Sequence, residues 1–145
     1  MSVQVALARD PSDLPLGRRL LVRAVIALAR LLALSPPRRV RALLERVART
    51  APPAGYEQAR QARAAVVAMS TYCAGEGCLP RTIATALLCR LAGRWPTWRV
   101  GVRLDPFAAH AWVEADGLAV DEPFDLGAFR AIMTVYPRRD LPREG

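Results

Sequence analysis

Cysteine is the most nucleophilic side chain available near neutral pH, provided that something lowers its pKa. Cys78 occupies such a position. It follows the turn-like run Ala74-Gly75-Glu76-Gly77 and stands at the head of a strong helical pattern, Leu79–Leu91, with Pro80 in the first turn and Gly93 as the stop. The unpaired N–H groups and the macrodipole at a helix start stabilise an anion there. The chain has one histidine, His110, so any histidine-dependent catalysis runs through it. His110 opens the strand-like run Ala109–Ala115, and Asp121 lies on the next run, Leu118–Glu122, across an Asp116-Gly117 hairpin turn. Counting outward from that turn sets residue 112 opposite 121 and leaves His110 two residues away along the strand. A carboxylate on the same face still reaches an imidazole at that offset, and a register shift or bulge would bring it closer. Cys78, His110 and Asp121 thus form a nucleophile, a base and an orienting carboxylate. Of the rivals to Asp121, Asp116 is better explained as a turn residue, Glu122 should face the other side of the strand, and Asp125 lies further along the chain.

The same inventory excludes other chemistry. All 21 basic residues are arginine, so lysine Schiff bases and a P-loop lysine are ruled out. A single histidine excludes His₂ and His₃ metal sites. The spacing Cys73-x₄-Cys78-x₁₀-Cys89-x₂₀-His110 matches no compact zinc module, and no metal or cofactor is expected. Cys89, eleven residues after Cys78, shares its helix face and reads as a small buried hydrophobe, and Cys73 reads as structural too. Trp112 is assigned to the core and Glu114 to a supporting group on the His110 face, while the role of Arg81 stays open between substrate contact and helix face.

The elements that must position these residues fall into two textures. Helical periodicity predicts helices over about Asp13–Leu34, Arg38–Thr50, Tyr56–Tyr72 and Leu79–Leu91, the first two ended by Ser35-Pro36-Pro37 and Ala51-Pro52-Pro53. Alternation then predicts strands over Trp98–Leu104, Ala109–Ala115 and Leu118–Glu122, with a short helix near Leu126–Met133. Helices followed by an antiparallel meander make the fold class α+β. At 145 residues, 52% hydrophobic and 23% charged, the chain is read as one domain: a helical part over 1–74, a core over 75–125 and a tail over 126–145.

Formal charge is +8, distributed as +7 over residues 1–50, +5 over 51–103 and −4 over 104–145. A basic front and an acidic back suit an anionic partner, although arginine also serves wherever a solvated charge will do. The apolar run Leu20–Leu34 contains Arg23 and Arg30 and is shorter than the ~20 residues of a spanning helix. The start of the sequence lacks the pattern of a signal peptide, and the odd, unpaired cysteine set suits a reducing, cytoplasmic setting.

Cys78-Leu79-Pro80-Arg81-Thr82, Val100-Gly101-Val102-Arg103, Ala109-His110-Ala111-Trp112-Val113-Glu114 and Asp121-Glu122 together resemble the transglutaminase-like cysteine protease fold. Within it they resemble most closely the B2 proteins of lasso-peptide biosynthesis, over about residues 75–125. The resemblance implies a transglutaminase/papain-like core with the catalytic cysteine at a helix N-terminus. It implies Cys78 as nucleophile, His110 as general base and acid, and Asp121 as the orienting carboxylate. It also implies a cytoplasmic leader peptidase that cuts a ribosomal precursor peptide, presented by a separate leader-binding B1 protein, with the core passing to a lasso cyclase. Two alternatives stand beside it: acyl transfer by the same triad, and a non-enzymatic Arg-rich module for nucleic acid or an acidic protein. Against the second, no nucleic-acid signature accompanies the basic stretch. The helical front could also dock on a partner, the cyclase or a membrane surface.

Overall fold

A computed structural model describes residues 15–70, 77–123 and 125–138. Among the described residues four helices, α1 (Leu16–Ala33), α2 (Pro37–Ala48), α3 (Tyr56–Met69) and α4 (Cys78–Leu91), precede four strands, β1 (Thr97–Leu104), β2 (Phe107–Ala115), β3 (Leu118–Ala119) and β4 (Arg130–Val135). The α+β expectation therefore holds.

Each helix follows from local sequence. In α1, Val22, Val25, Ile26 and Ala29 recur at the spacing that lines one helix face, and all four are buried. Pro37 takes the first position of α2, where its missing N–H costs nothing, and Val40, Leu44 and Ala48 form the buried stripe. The buried face of α3 is Ala59, Ala62 and Val66, small enough for close helix approach. In α4 almost every residue from Pro80 to Cys89 is buried, because α1, α3 and β2 all pack on it. It ends as the sequence indicated: Gly93 sits at φ +90°, its N–H bonds the Arg90 carbonyl (2.9 Å), and the Arg94 N–H bonds the Cys89 carbonyl (3.0 Å).

The strands form one antiparallel sheet in the order β3-β2-β1-β4. Trp98, Val113, Ala115 and Val135 turn one face onto the helices, in a continuous core with Val22, Leu44, Val66 and Ile83. Two indoles tie the layers: Trp98 Nε1 donates to Thr82 Oγ1 of α4 (3.0 Å), and Trp95 Nε1 donates to the Val135 carbonyl (3.3 Å).

Two expectations need correction. The short helix near Leu126–Met133 is absent; Asp125 caps a tight turn by accepting the Gly127 N–H (2.9 Å), and the chain then enters β4. The apolar spacing imitated a helix, but the free edge of β1 offered paired hydrogen bonds to a segment rich in β-branched residues, and tertiary pairing won. The third strand is also shorter than Leu118–Glu122. The ladder ends after the Val120 N–H bonds the Val113 carbonyl (3.0 Å), because Asp121 takes φ +49°. In α3, Tyr72 lies outside the described residues, as does Cys73.

Candidate active site

Two elements bring Cys78 and His110 together. Gly77 caps α4, the Arg81 N–H makes the first helical bond to the Gly77 carbonyl (2.9 Å), and Cys78 therefore occupies the first helical position. The N-terminus of α4 meets β2 where β2 has lost its neighbour. In an antiparallel strand alternate residues direct their backbone groups to the same side. The Val113 carbonyl pairs with β3 through Val120, so the Ala111 N–H points to that same side, beyond the end of β3. The Cys78 sulfur accepts this N–H. The shortness of β3 thus leaves a strand-edge donor for the thiol.

His110 completes the contact. Its Nε2 lies 2.8 Å from Glu122 Oε2, and its ring also bonds Cys78. The two titrations are coupled. The Cys78 thiol is lowered, first by the His110 hydrogen bond, against the opposing effect of burial, then by the Ala111 N–H and the charges of His110 and Arg81. His110 is raised to about 9, first by its bond to Cys78 and then by Glu122. Both shifts favour a thiolate–imidazolium pair.

The orienting carboxylate is a correction. Asp121 was expected on His110, but Asp121 is exposed, at positive φ, and its N–H faces the Tyr56 hydroxyl (3.5 Å). The left-handed turn at Asp121 breaks the strand alternation and swings the following side chain onto the imidazole. That side chain is Glu122, only 4% exposed. A strict period of two placed Glu122 on the wrong face; the missing signal was that an aspartate tolerates left-handed backbone and can end a strand there. Asp116, at φ 53°, is the turn residue expected, and it also accepts the Tyr56 N–H (2.8 Å), capping α3 from the hairpin.

Aromatic rings fix the imidazole from the side. Trp112 stacks on His110 at 6.2 Å between centroids and 13° between planes, and Phe129 lies tilted at 6.0 Å. Trp112 is buried as expected, and Glu114 holds it: Glu114 Oε1 accepts Trp112 Nε1 (2.9 Å) while Oε2 pairs with Arg99 Nε (3.0 Å). Gly101, opposite His110 in the register, makes room for this indole, since a Cβ there would lie 2.7 Å from the Trp112 ring and 2.9 Å from the Arg130 carbonyl. From sequence Gly101 entered only as part of the Val100–Arg103 segment, with no role of its own, and Phe129 was not singled out.

Arg81, left open above, is buried on α4, and its charge favours the thiolate. Arg63 of α3 approaches it. Burial and the like charge of Arg81 lower the Arg63 guanidinium, and Glu122 and Asp121 oppose that shift. Cys89 is buried deep on the same helix as Cys78, and desolvation pushes its thiol up to about 12. A surface cleft of about 230 Å³ between Trp95, Arg99, Glu114 and Tyr136 contains none of Cys78, His110 and Glu122. Among the described residues no group of three or more His, Cys, Asp or Glu side chains could hold a metal ion, and no helix is long and apolar enough to cross a membrane.

A thiol at a helix start, a histidine on an adjoining strand and a carboxylate behind it thus stand together, on helices packed against a small antiparallel sheet. The family model of the Transglutaminase-like superfamily matches residues 22–134, and the chain belongs to that superfamily. Membership is consistent with a cysteine protease or an acyltransferase type of activity. No curated protein and no solved structure matches the chain.

Proposed function

We propose that this protein is a cysteine endopeptidase that removes the leader from a ribosomally made lasso precursor peptide, working with a separate leader-binding B1 protein. The observation that carries a hydrolytic role is the Cys78–His110–Glu122 chain of hydrogen bonds at the head of α4. The choice of substrate rests on the resemblance of the Cys-Leu-Pro-Arg and His-Ala-Trp-Val-Glu segments to the B2 proteins. The expected single domain and cytoplasmic setting belong to the same proposal.

In this reading the Cys78 thiolate attacks the carbonyl carbon at the leader–core junction. The C–N bond breaks as the imidazolium Nδ1 gives its proton to the leaving amine, which frees the core and leaves the leader as a thioester. A water molecule then adds to the thioester carbon and gives a proton to His110. The C–S bond breaks, which releases the leader acid and restores the thiolate–imidazolium pair. Glu122 fixes the ring so that Nδ1 faces sulfur and supports the imidazolium charge. The oxyanion donor proposed is the Cys78 N–H, which at the first helical position has no intrahelical acceptor.

The test is to incubate the protein with precursor peptide and leader-binding protein and to follow masses. Leader acid plus free core, absent for Cys78→Ala and His110→Ala, is the expected result. Leader amide in the presence of a competing amine, with no leader acid, would assign acyl transfer instead. Salt-sensitive DNA binding without any cleavage would assign the Arg-rich binding alternative.

A further inference from the structure

Helix α1 buries one face and leaves a second apolar face in solvent. Leu16, Leu20 and Leu31, together with Leu34 just after the helix, are 58–84% exposed. With the exposed Ala24 and Ala27 they follow a spacing of three or four residues, so they form one stripe opposite Val22, Val25, Ile26 and Ala29. An 18-residue helix makes that stripe roughly 27 Å long. Isolated exposed leucines are ordinary, but a continuous row along a helix marks an interaction surface.

Three properties narrow what covers it. Arg19 and Arg23 border the stripe on one side, with Arg30 continuing the line, and α1 contains no acidic residue. An antiparallel second copy of α1 would therefore bring arginine against arginine, and α1 supplies no counter-charge in any orientation. The stripe and its surroundings in α1 contain no aromatic residue, the usual anchor at a lipid interface. Small residues at its centre, between leucines at either end, suit the close approach of another helix.

We propose that this face of α1 docks an amphipathic helix of a partner protein, leucine-rich where it meets the stripe and acidic along the edge that faces Arg19 and Arg23. The surface is on the helical front, apart from Cys78, His110 and Glu122, and the inference stands whether or not the reaction proposed above is correct.

The experiment uses the full chain and a fluorescent synthetic helix of eighteen residues, with leucines at three- and four-residue spacing and glutamates along one flank. A counterpart has lysines in place of the glutamates. Fluorescence anisotropy should show saturable binding of the glutamate helix, at least about tenfold tighter than the lysine helix. The double variant Leu20→Glu/Leu31→Glu, at exposed positions, should lose binding at least about tenfold while keeping its circular dichroism. Arg23→Glu should erase the preference between the two peptides. The proposal is overturned by equal binding of both peptides, or by binding that survives the double leucine change. It is also overturned if the chain sediments as a dimer that Leu20→Glu/Leu31→Glu dissociates. Binding to phosphatidylglycerol vesicles, lost in the leucine variant while neither peptide binds, would give the face to a membrane. Peptide binding that appears only after removal of residues 1–14 would give it to the chain's own N-terminal segment.

Discussion

The two ends of α4 each hold a cysteine, and the two thiols are set on opposite chemical courses. At the N-terminal end, Cys78 meets the His110 ring and the Ala111 N–H, and its pKa falls. At the C-terminal end, Cys89 meets an apolar core, and its pKa is pushed to about 12. Sequence spacing alone puts both on one helix face. The difference comes from what abuts each end: a sheet edge left open by a short strand at one, packed hydrophobic side chains at the other. The acidity of each thiol therefore follows from what its end of the helix meets.

The largest expected effect breaks the comparison outright. Cys78→Ala should lower peptide cleavage by on the order of 10³-fold or more, because the proposed covalent step is gone. Cys89→Ala should leave turnover within about twofold and lower stability by about 1 kcal/mol through a small cavity, read by cleavage assay and by thermal melting.

The next effect tests the carboxylate behind the histidine. Glu122→Gln should cost on the order of 10²-fold in kcat, whereas Asp121→Asn, which keeps the left-handed turn, should stay within about threefold. The pH profile gives a sign as well. The proposed reaction needs a deprotonated thiol and a protonated imidazole, so wild-type cleavage should rise as Cys78 ionises and fall as pH passes about 9, where His110 loses its proton. Because Glu122 raises the imidazole pKa, Glu122→Gln should move that alkaline limb downward, toward the ordinary histidine value. If Asp121→Asn is the damaging change and Glu122→Gln is silent, the assignment of the carboxylate is reversed.

Much of this arrangement was legible in the sequence for local reasons. Proline and glycine punctuation set the helix ends, Gly93 stopped α4 as a left-handed cap, and Asp116-Gly117 fixed the hairpin. The Cys78–His110 pairing was approachable because each residue stands at the start of its own element. Non-local geometry was not legible. Whether residue 121 or 122 faces His110 depends on one left-handed backbone angle. Whether residues 130–135 form helix or strand depends on the vacant edge of β1. Gly101 gave no local signal, because its role is to leave space for an indole from the neighbouring strand.

Gly101→Ala tests that last point. A methyl group there meets the Trp112 ring and the Arg130 carbonyl, so stability should drop by about 1–3 kcal/mol in denaturant unfolding, with turnover falling as Trp112 shifts against His110. Asp116→Gly, which tolerates the left-handed turn, is the smallest change. It removes the cap that ties the hairpin to the start of α3, and about 1 kcal/mol of stability should go with it, while the Cys78 environment stays intact.

The contrast between the two thiols can be measured directly by ultraviolet titration of thiolate absorbance, taken as the difference between wild type and Cys78→Ala and, separately, between wild type and Cys89→Ala. The Cys78 difference should already show thiolate at neutral pH, through a transition below the ordinary cysteine value, while the Cys89 difference should stay flat until strongly alkaline pH. A Cys78 transition at or above the ordinary thiol pKa would contradict a thiolate–imidazolium pair at the head of α4, and with it the catalytic role assigned to that end of the helix.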